Sequence, residues 1–307
     1  MKKLENSNKI IKLEKNKIAG EEKFRKYIND EELMLGQISK DIYISTMTIS
    51  CKIRDIEFNC ENICKYIDLS HDCVQDIVCA VSVGIEEKRN KQKNIIYRNI
   101  KNIPRKNKKV FYNQTSLHIK IKTKKEDSVH VKLFTNGSMH ITGCRTCDDI
   151  VETISSIINE LTKSKIIVGD NCGEIEFIRK INNNNIFDLT SIFDLKVNMI
   201  NTNFELPFKV VLRKLYELLL LKKYDCFYDK ISHSCVDIKF DHPQQIVSIF
   251  VYEDGSVVIT GANTGEQINQ AYIFINKFLY SNYKKIVKKD INVDENIKKT
   301  LLLATIN

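Results

Sequence analysis

"GSMHITG", residues 137–143, returns as "GSVVITG" at residues 255–261, with five of seven letters matched 118 positions later. The flanks repeat too. Alternating runs, "VKLFTN" and "VSIFVYED", enter each Gly-Ser turn, so both stretches read as strand, turn, strand, a β-hairpin. Three residues beyond each closing glycine stands Thr146 or Thr264, and three further on Asp149 or Gln267. That spacing is close to a capping box, in which a hydroxyl accepts from an orphan backbone N–H at a helix start. Helical periodicity follows in both copies: Ile150, Val151, Ile154, Ile157, Ile158 and Leu161 in the first, Ile268, Ala271, Tyr272, Ile275, Phe278 and Leu279 in the second. The chain therefore carries a strand, turn, strand and capped helix twice. It reads as a duplicated domain of the α+β class.

Composition sets the outer bounds. A chain of 307 residues with 43% hydrophobic and 28% charged residues is ordinary for a globular protein and long enough to bury an ample core. The net charge is +9, but Lys, Asn and Ile are abundant throughout, so where the charge sits weighs more than its sum. The longest apolar runs, such as "LLLL" at 218–221, fall far short of the ~18 residues of a membrane span. The opening "MKKLENSNKIIKLEKNK" lacks the apolar core of a secretory signal. Ten cysteines in such a chain read as reduced thiols rather than a disulfide framework. Cys60 with Cys64, and Cys144 with Cys147, are isolated pairs, whereas a structural zinc site takes four ligands in paired clusters. Cys144 also stands where the second copy has Ala262, which suits a small buried residue. No metal and no cofactor is expected.

Residues 1–40 form a charged N-terminal extension in which "EEKFRKYINDEELMLGQI" offers a short amphipathic helix. The first repeat, residues 41–162, opens with the strand "YISTMTISCKI". A helix through "NCENICKYIDL" and a second around "CVQDIVCAVSV" are expected next. Residues 163–193, with "INNNNIFDL", read as a linker. The second repeat, 194–287, opens with "LKVNMINTNFEL" and continues into "PFKVVLRKLYELLLLKKY", a helix with Pro207 near its start; 288–307 form a tail. An insertion at 88–109 lengthens the first repeat and holds ten Lys or Arg and no acid. It reads either as a solvated loop or as an arm laid along a polyanion.

Side chains on a strand alternate faces. Val131, Leu133, Met139 and Ile141 share the face that must pack on the first capped helix, leaving Lys132, Phe134, His140 and Thr142 on the other. In the second hairpin Val247, Ile249, Val251, Val257 and Ile259 face the helix, and Ser248, Phe250, Tyr252, Val258 and Thr260 face away. A helix-free face bearing these rings is too apolar to be idle. It is either a binding surface or core beneath a second sheet or the N-terminal extension.

The double unit resembles the TATA-box-binding protein family and its diverged relatives in large DNA viruses, over most of residues 42–286. The likeness rests on "ISTMTISCKI", "LFTNGSMHITG", "LPFKVVLRKL" and "YDKISHSCVDIKFDHP", in that order and with their duplication. The resemblance implies a pseudo-twofold saddle with one curved antiparallel sheet and helices on the convex face. Its concave side would meet a DNA minor groove through phenylalanine wedges. It implies double-stranded DNA as partner, a B-type general transcription factor and RNA polymerase as further partners, and an intracellular, DNA-associated place in host nucleus or viral factory. Carried over by position, Phe134 matches one wedge, with Lys132 on the same face, and Tyr252, with Phe250 two residues earlier, matches its mate. Thr142 and Thr260 match strand-end groove contacts, and Lys122 and Lys239 fall near backbone-contacting arginines. The remaining wedges fall near Ser116 or Leu117 and at His233, where no Phe stands. His140 replaces a small apolar residue whose mate is Val258. The central asparagines fall at Ile42 or Ile44 in one repeat and at Asn198 or Asn201 in the other.

The leading expectation is a minor-groove initiation factor that bends A/T-rich promoter DNA and recruits the transcription machinery. The alternative is an architectural or replication-associated DNA-binding protein with little sequence selection. No P-loop, HExxH or GxSxG occurs, and "DCVQD" and "DIVE" read as helix surface, so no enzyme is expected.

Overall fold

The computed structural model describes residues 20–26, 38–82, 93–101, 113–122, 128–163, 165–167, 173–182 and 187–288. The chain divides into two compact units, residues 1–33 with 45–199 and residues 34–44 with 200–307. Each is α+β, an antiparallel sheet with helices packed on one face.

In chain order the first unit holds α1 (20–26), all but the first two residues of β1 (Tyr43–Ile53), β2 (Ile56–Phe58), α2 (Cys60–Tyr66), β3 (Val74–Ser82), β4 (Lys93–Asn99), β5 (Gln114–Lys120), β6 (Ser128–Phe134), β7 (Ser138–Cys144) and α3 (Cys147–Leu161). Short strands follow: β8 (Lys165–Ile167), β9 (Gly173–Ile175) and β10 (Ile178–Lys180). The main sheet of this unit runs β1-β7-β6-β5-β3-β4, every pairing antiparallel. Strand alternation puts Ile49, Leu117, Val131, Leu133, Met139 and Ile141 on one face, all at 1% exposure or less. Ile150, Ile154 and Ile157 of α3 and Ile63 of α2 complete that core. Burying side chains of this size contributes roughly 1.5–3 kcal/mol each, which is what makes the face choice unambiguous. α1 adds Phe24, 3% exposed, and its Arg25 pairs with Asp148 in the first turn of α3. Part of the N-terminal extension is thus packed on the first repeat.

The second unit holds the end of β11 (Ile192–Glu205), α4 (Leu212–Leu221), β12 (Cys226–Phe227), β13 (Cys235–Asp241), β14 (Ile246–Tyr252), β15 (Ser256–Ala262), α5 (Gly265–Ser281) and α6 (Tyr283–Ile286). Its sheet runs β12-β13-β14-β15-β11. Val247, Ile249, Val251, Val257 and Ile259 are fully buried, as are Ile268, Ala271 and Ile275 of α5. Both helix starts are capped as the spacing requires. Thr146 Oγ1 accepts from the Asp149 N–H at 3.2 Å while Asp149 Oδ2 accepts from the Thr146 N–H at 3.3 Å. In α5, Thr264 Oγ1 accepts from the Gln267 N–H at 3.3 Å, but Gln267 Oε1 reaches one residue further back, to the Asn263 N–H at 2.8 Å.

Four expectations are corrected. The "CVQDIVCAVSV" stretch is strand β3, not a second helix. It is apolar on both faces, Ile77 and Cys79 toward the core and Val78 and Ala80 under Tyr97, so periodicity alone could not separate strand from helix. The basic insertion is not one loop: its middle, Lys93–Asn99, is β4, paired with β3 along its whole length, while 88–92 and 102–109 lie outside the described residues. Finally, Pro207 does not start α4. The Leu206 and Val210 N–H groups donate to the Gly255 and Glu253 carbonyls, each at 2.9 Å, which ties this segment to the hairpin end and delays the helix until Leu212. The 163–193 stretch read as linker carries β8, β9 and β10, and β10 pairs with β2.

Candidate functional site

Opposite the helices, each unit presents an open sheet face. Lys132 and Phe134 are half-buried, and His140 and Thr142 are exposed. Ser248, Phe250, Tyr252, Val258 and Thr260 are all half-buried. The alternation is regular: Leu133, beside Phe134 in sequence, is fully buried, and so is Val251 beside Tyr252. These rings are therefore not core, and a covering layer over them is absent among the described residues.

Cross-strand register arranges the face in rows. In the second unit Phe227, Asp237, Phe250, Val258 and Asn203 follow one another across β12, β13, β14, β15 and β11. The corresponding row of the first unit is Tyr97, Val78, Ser116, Lys132, His140 and Ser50. Phe134 faces Gln114, and Tyr252 faces Cys235. The position across from each matched wedge therefore carries no ring. Leu117 is removed from the candidates, since at 1% exposure it belongs to the core face, and Ser116 lies on the open face beside Lys132 at 9%. His233 stands just before β13, exposed, with its ring 5.0 Å from that of Phe227 and Nδ1 2.9 Å from Ser232 Oγ. Phe227 itself, 49% exposed, was missed in the sequence. Its strand is two residues long, too short for any periodic signal.

The remaining carried-over residues sort by register. Thr142 Oγ1 lies 3.5 Å from Thr48 Oγ1, and Thr260 donates to Asn201 Oδ1, so Asn201 is the counterpart of Thr48. Asn198 accepts from Ser50 Oγ at 3.2 Å and is exposed. Ile42 is buried at 8%, and Ile44 is half-buried. Lys239 Nζ sits between Asp237 Oδ2 and Ser248 Oγ, 2.9 Å from each, and 5.9 Å over the Phe250 ring. Its register counterpart is not Lys122 but His118, since His118 faces His130 as Lys239 faces Ser248. The His118 ring stacks on His130 at 4.7 Å and its Nδ1 lies 2.7 Å from Asp76 Oδ1. Lys122 lies past the strand end, exposed, where its backbone N–H donates to Glu152 at 2.6 Å. Counting along the chain misplaced it because β5 and β13 are followed by segments of different length.

His140 lies on the first open face between Lys132 and Ser50. Its ring meets Phe134 edge-on at 5.0 Å and 64°. Partial burial, reinforced by the Lys132 charge opposite, holds the imidazole below its usual pKa, so near pH 7 it is neutral and offers one donor and one acceptor. The cysteines are a structural matter. Burial pushes Cys60 to about 11 and Cys64 to about 12, which leaves them as inert thiols at neutral pH. Cys144 is fully buried against Thr153, as is Ala262 in its mate.

Two repeats, each a hairpin-bearing antiparallel sheet with a capped helix on one side and outward rings and hydroxyls on the other, define the class: a duplicated α+β protein with two open sheet faces. Comparison with known proteins gives the family. The sequence model described as "Transcription factor TFIID (or TATA-binding protein, TBP)" matches residues 194–281. A "TATA-box-binding protein-like" protein of Acanthamoeba polyphaga mimivirus is 31% identical over 280 residues, covering 85% of this chain and 69% of its own. The TATA-box-binding protein of Picrophilus torridus is 26% identical over 154 residues, 50% of this chain and 70% of its own. Among solved structures, Methanococcus jannaschii TBP aligns with a TM-score of 0.46 and 16% identity, over 78% of this chain and 99% of that one. The chain belongs to the TATA-box-binding protein family.

Proposed function

We propose that this protein is a transcription initiation factor whose repeats, residues 41–162 and 194–287, present their open faces to the minor groove of A/T-rich duplex DNA. Phe134, with Phe250 and Tyr252, wedges between base steps. Thr142, Thr260, Asn201, Asn198 and neutral His140 meet base edges, and Lys132 and Lys239 meet phosphates, with His233 at the rim. A B-type general transcription factor and RNA polymerase are the partners recruited, in host nucleus or viral factory, and no catalytic step is involved. The observation that carries this reading is the half-exposure of Phe134, Phe250 and Tyr252 on helix-free faces whose neighbours in sequence are fully buried. Rings left in that state favour contact with a partner.

The physical fit is specific to the minor groove. There A·T and T·A show only acceptors, and G·C adds the guanine amine, a donor that an apolar face leaves unpaired. Inserting a ring costs a few kcal/mol of unstacking, offset by the wider contact that bending allows. Gln114 and Cys235 facing the matched wedges, and the acids Asp76 and Asp237 on the same faces, support a weaker selection than a face with rings at all four positions would have. The experiment is competition binding at about 0.15 M salt, the regime in which phosphate contacts no longer dominate. A 20-base-pair A·T-rich duplex is expected to compete about 10-fold better than a G·C-rich one, about 1.4 kcal/mol in all, the size of a single discriminated pair. Equal competition would replace the promoter reading with the architectural one.

A further inference from the structure

A cavity of about 500 Å³ opens on the helix side of the second unit, between the end of α4 and one face of α5. Phe274, Lys277, Phe278 and Ser281 recur at helical spacing, so α5 turns all four toward it. Opposite them the chain leaves α4 through Lys223, at φ +60°, and the Tyr224 N–H donates back to the Leu219 carbonyl at 3.1 Å. That closure directs the Tyr224 ring onto α5, edge-on to Phe274 at 5.1 Å and to Phe278 at 5.6 Å. Phe274 is held from behind by Phe240, 5.2 Å away. Lys222 and Lys277 line the same cavity, both exposed, and neither has an ion-pair partner among the described residues. No carboxylate lines the cavity among those residues.

The duplication shows that the fold does not require this stripe. Counted from the capping threonines Thr146 and Thr264, the four α5 positions correspond to Ser156, Asn159, Glu160 and Lys163 in the first repeat. There Lys163 pairs with Glu160 at 2.6 Å, and no ring stands at any of the four. Ile273, one turn before Lys277 on α5, is 63% exposed where the first repeat has Ser155.

We infer that this cavity receives an acidic segment of a partner polypeptide, which seats a large apolar side chain against Tyr224, Phe274 and Phe278. The rings meet edge to face, so they form a concave apolar wall rather than the flat platform on which single-stranded bases stack. An apolar side chain fills such a wall, and the exposed Ile273 continues the apolar surface beyond it. Lys222 and Lys277 bring only donors, and flanking carboxylates supply acceptors together with opposite charge. A basic segment would be repelled here. The net charge of +9 acts in the same direction, drawing an acidic chain in at longer range. The inference does not rest on the duplex reading, since the cavity shares no residue with the open sheet faces.

The test is fluorescence anisotropy of a labelled peptide, Asp and Glu flanking a central Phe-Leu pair, with the full chain at about 0.1 M salt. Saturable binding is expected, weakened about 10-fold by Lys222→Gln with Lys277→Gln, within the range for two exposed charge pairs. Tyr224→Ala, at a ring already 38% exposed, should weaken it about 10-fold as well while leaving the circular dichroism of the parent. A control pair with the same charge change in the first unit, Lys23→Gln with Lys180→Gln, should leave binding as in the parent. Four results overturn the inference: no binding of the peptide, equal weakening by both lysine pairs, equal binding of a peptide with Ser-Gly at its centre, or displacement by oligothymidylate as effective as by unlabelled peptide.

Discussion

Phe134→Ala is expected to weaken A·T-duplex binding about 10- to 100-fold, the range for removing one base-stacking ring, while leaving stability within about 1 kcal/mol. Tyr252→Ala should do the same in the second repeat. The separation of the two effects follows from the face. Phe134 is half-buried and touches His140 edge-on, whereas Leu133, one residue away, is sealed in the core. Leu133→Ala is therefore expected to behave oppositely, costing about 2–5 kcal/mol of stability through the cavity it leaves. Denaturant melts beside duplex titrations check both halves. If Phe134→Ala unfolds the protein as Leu133→Ala does, the ring is core and the open-face assignment is wrong.

The second large effect concerns Gly137, the residue that opens the repeated heptapeptide. Its φ is +81°, and a Cβ built there lies 2.2 Å from the Ile56 carbonyl oxygen, a backbone atom that cannot swing away. Gly255, its mate, has φ +100° and would place a Cβ 2.7 Å from the Phe208 carbonyl oxygen. Gly137→Ala combines left-handed backbone strain, about 1–3 kcal/mol, with a collision that must shift β2 or the hairpin. The expected loss is about 3 kcal/mol or more, a fall in Tm of roughly 10 °C for a unit of this size. Calorimetry of the variant checks it, and an unchanged Tm would mean that β2 does not approach the turn. The repeated glycine thus marks a place where the chain passes close beneath each hairpin tip.

Much of this was legible in the sequence because the repeat supplied two readings of each element. The hairpins, the capped helices and the face alternation all rest on short-range periodicity, and two copies agreeing removes most of the ambiguity. Where the copies diverge, legibility fails. β3 and β4 have no counterpart of similar length in the second unit, where β12 is two residues long, so no repeat corrected the helix expected at 73–83. The mispairing of Lys122 with Lys239 has the same origin: register is fixed by hydrogen bonds between strands, and His118 is the residue it brings to that place. Phe227 illustrates a third limit. It reaches the open face only because β12 pairs with β13, a contact that two residues of sequence cannot announce. The aromatic that the resemblance leaves missing at His233 is thus standing next to it.

Base analogues test minor-groove readout by the two open faces most directly. An inosine·cytosine pair keeps the major-groove pattern of G·C but lacks the guanine amine, so its minor groove looks like that of A·T. In the competition format described above, duplexes with I·C in place of A·T are expected to bind within about 3-fold of the A·T parent, and G·C duplexes about 10-fold worse. An I·C duplex that binds as poorly as G·C would place the readout in the major groove and contradict the account.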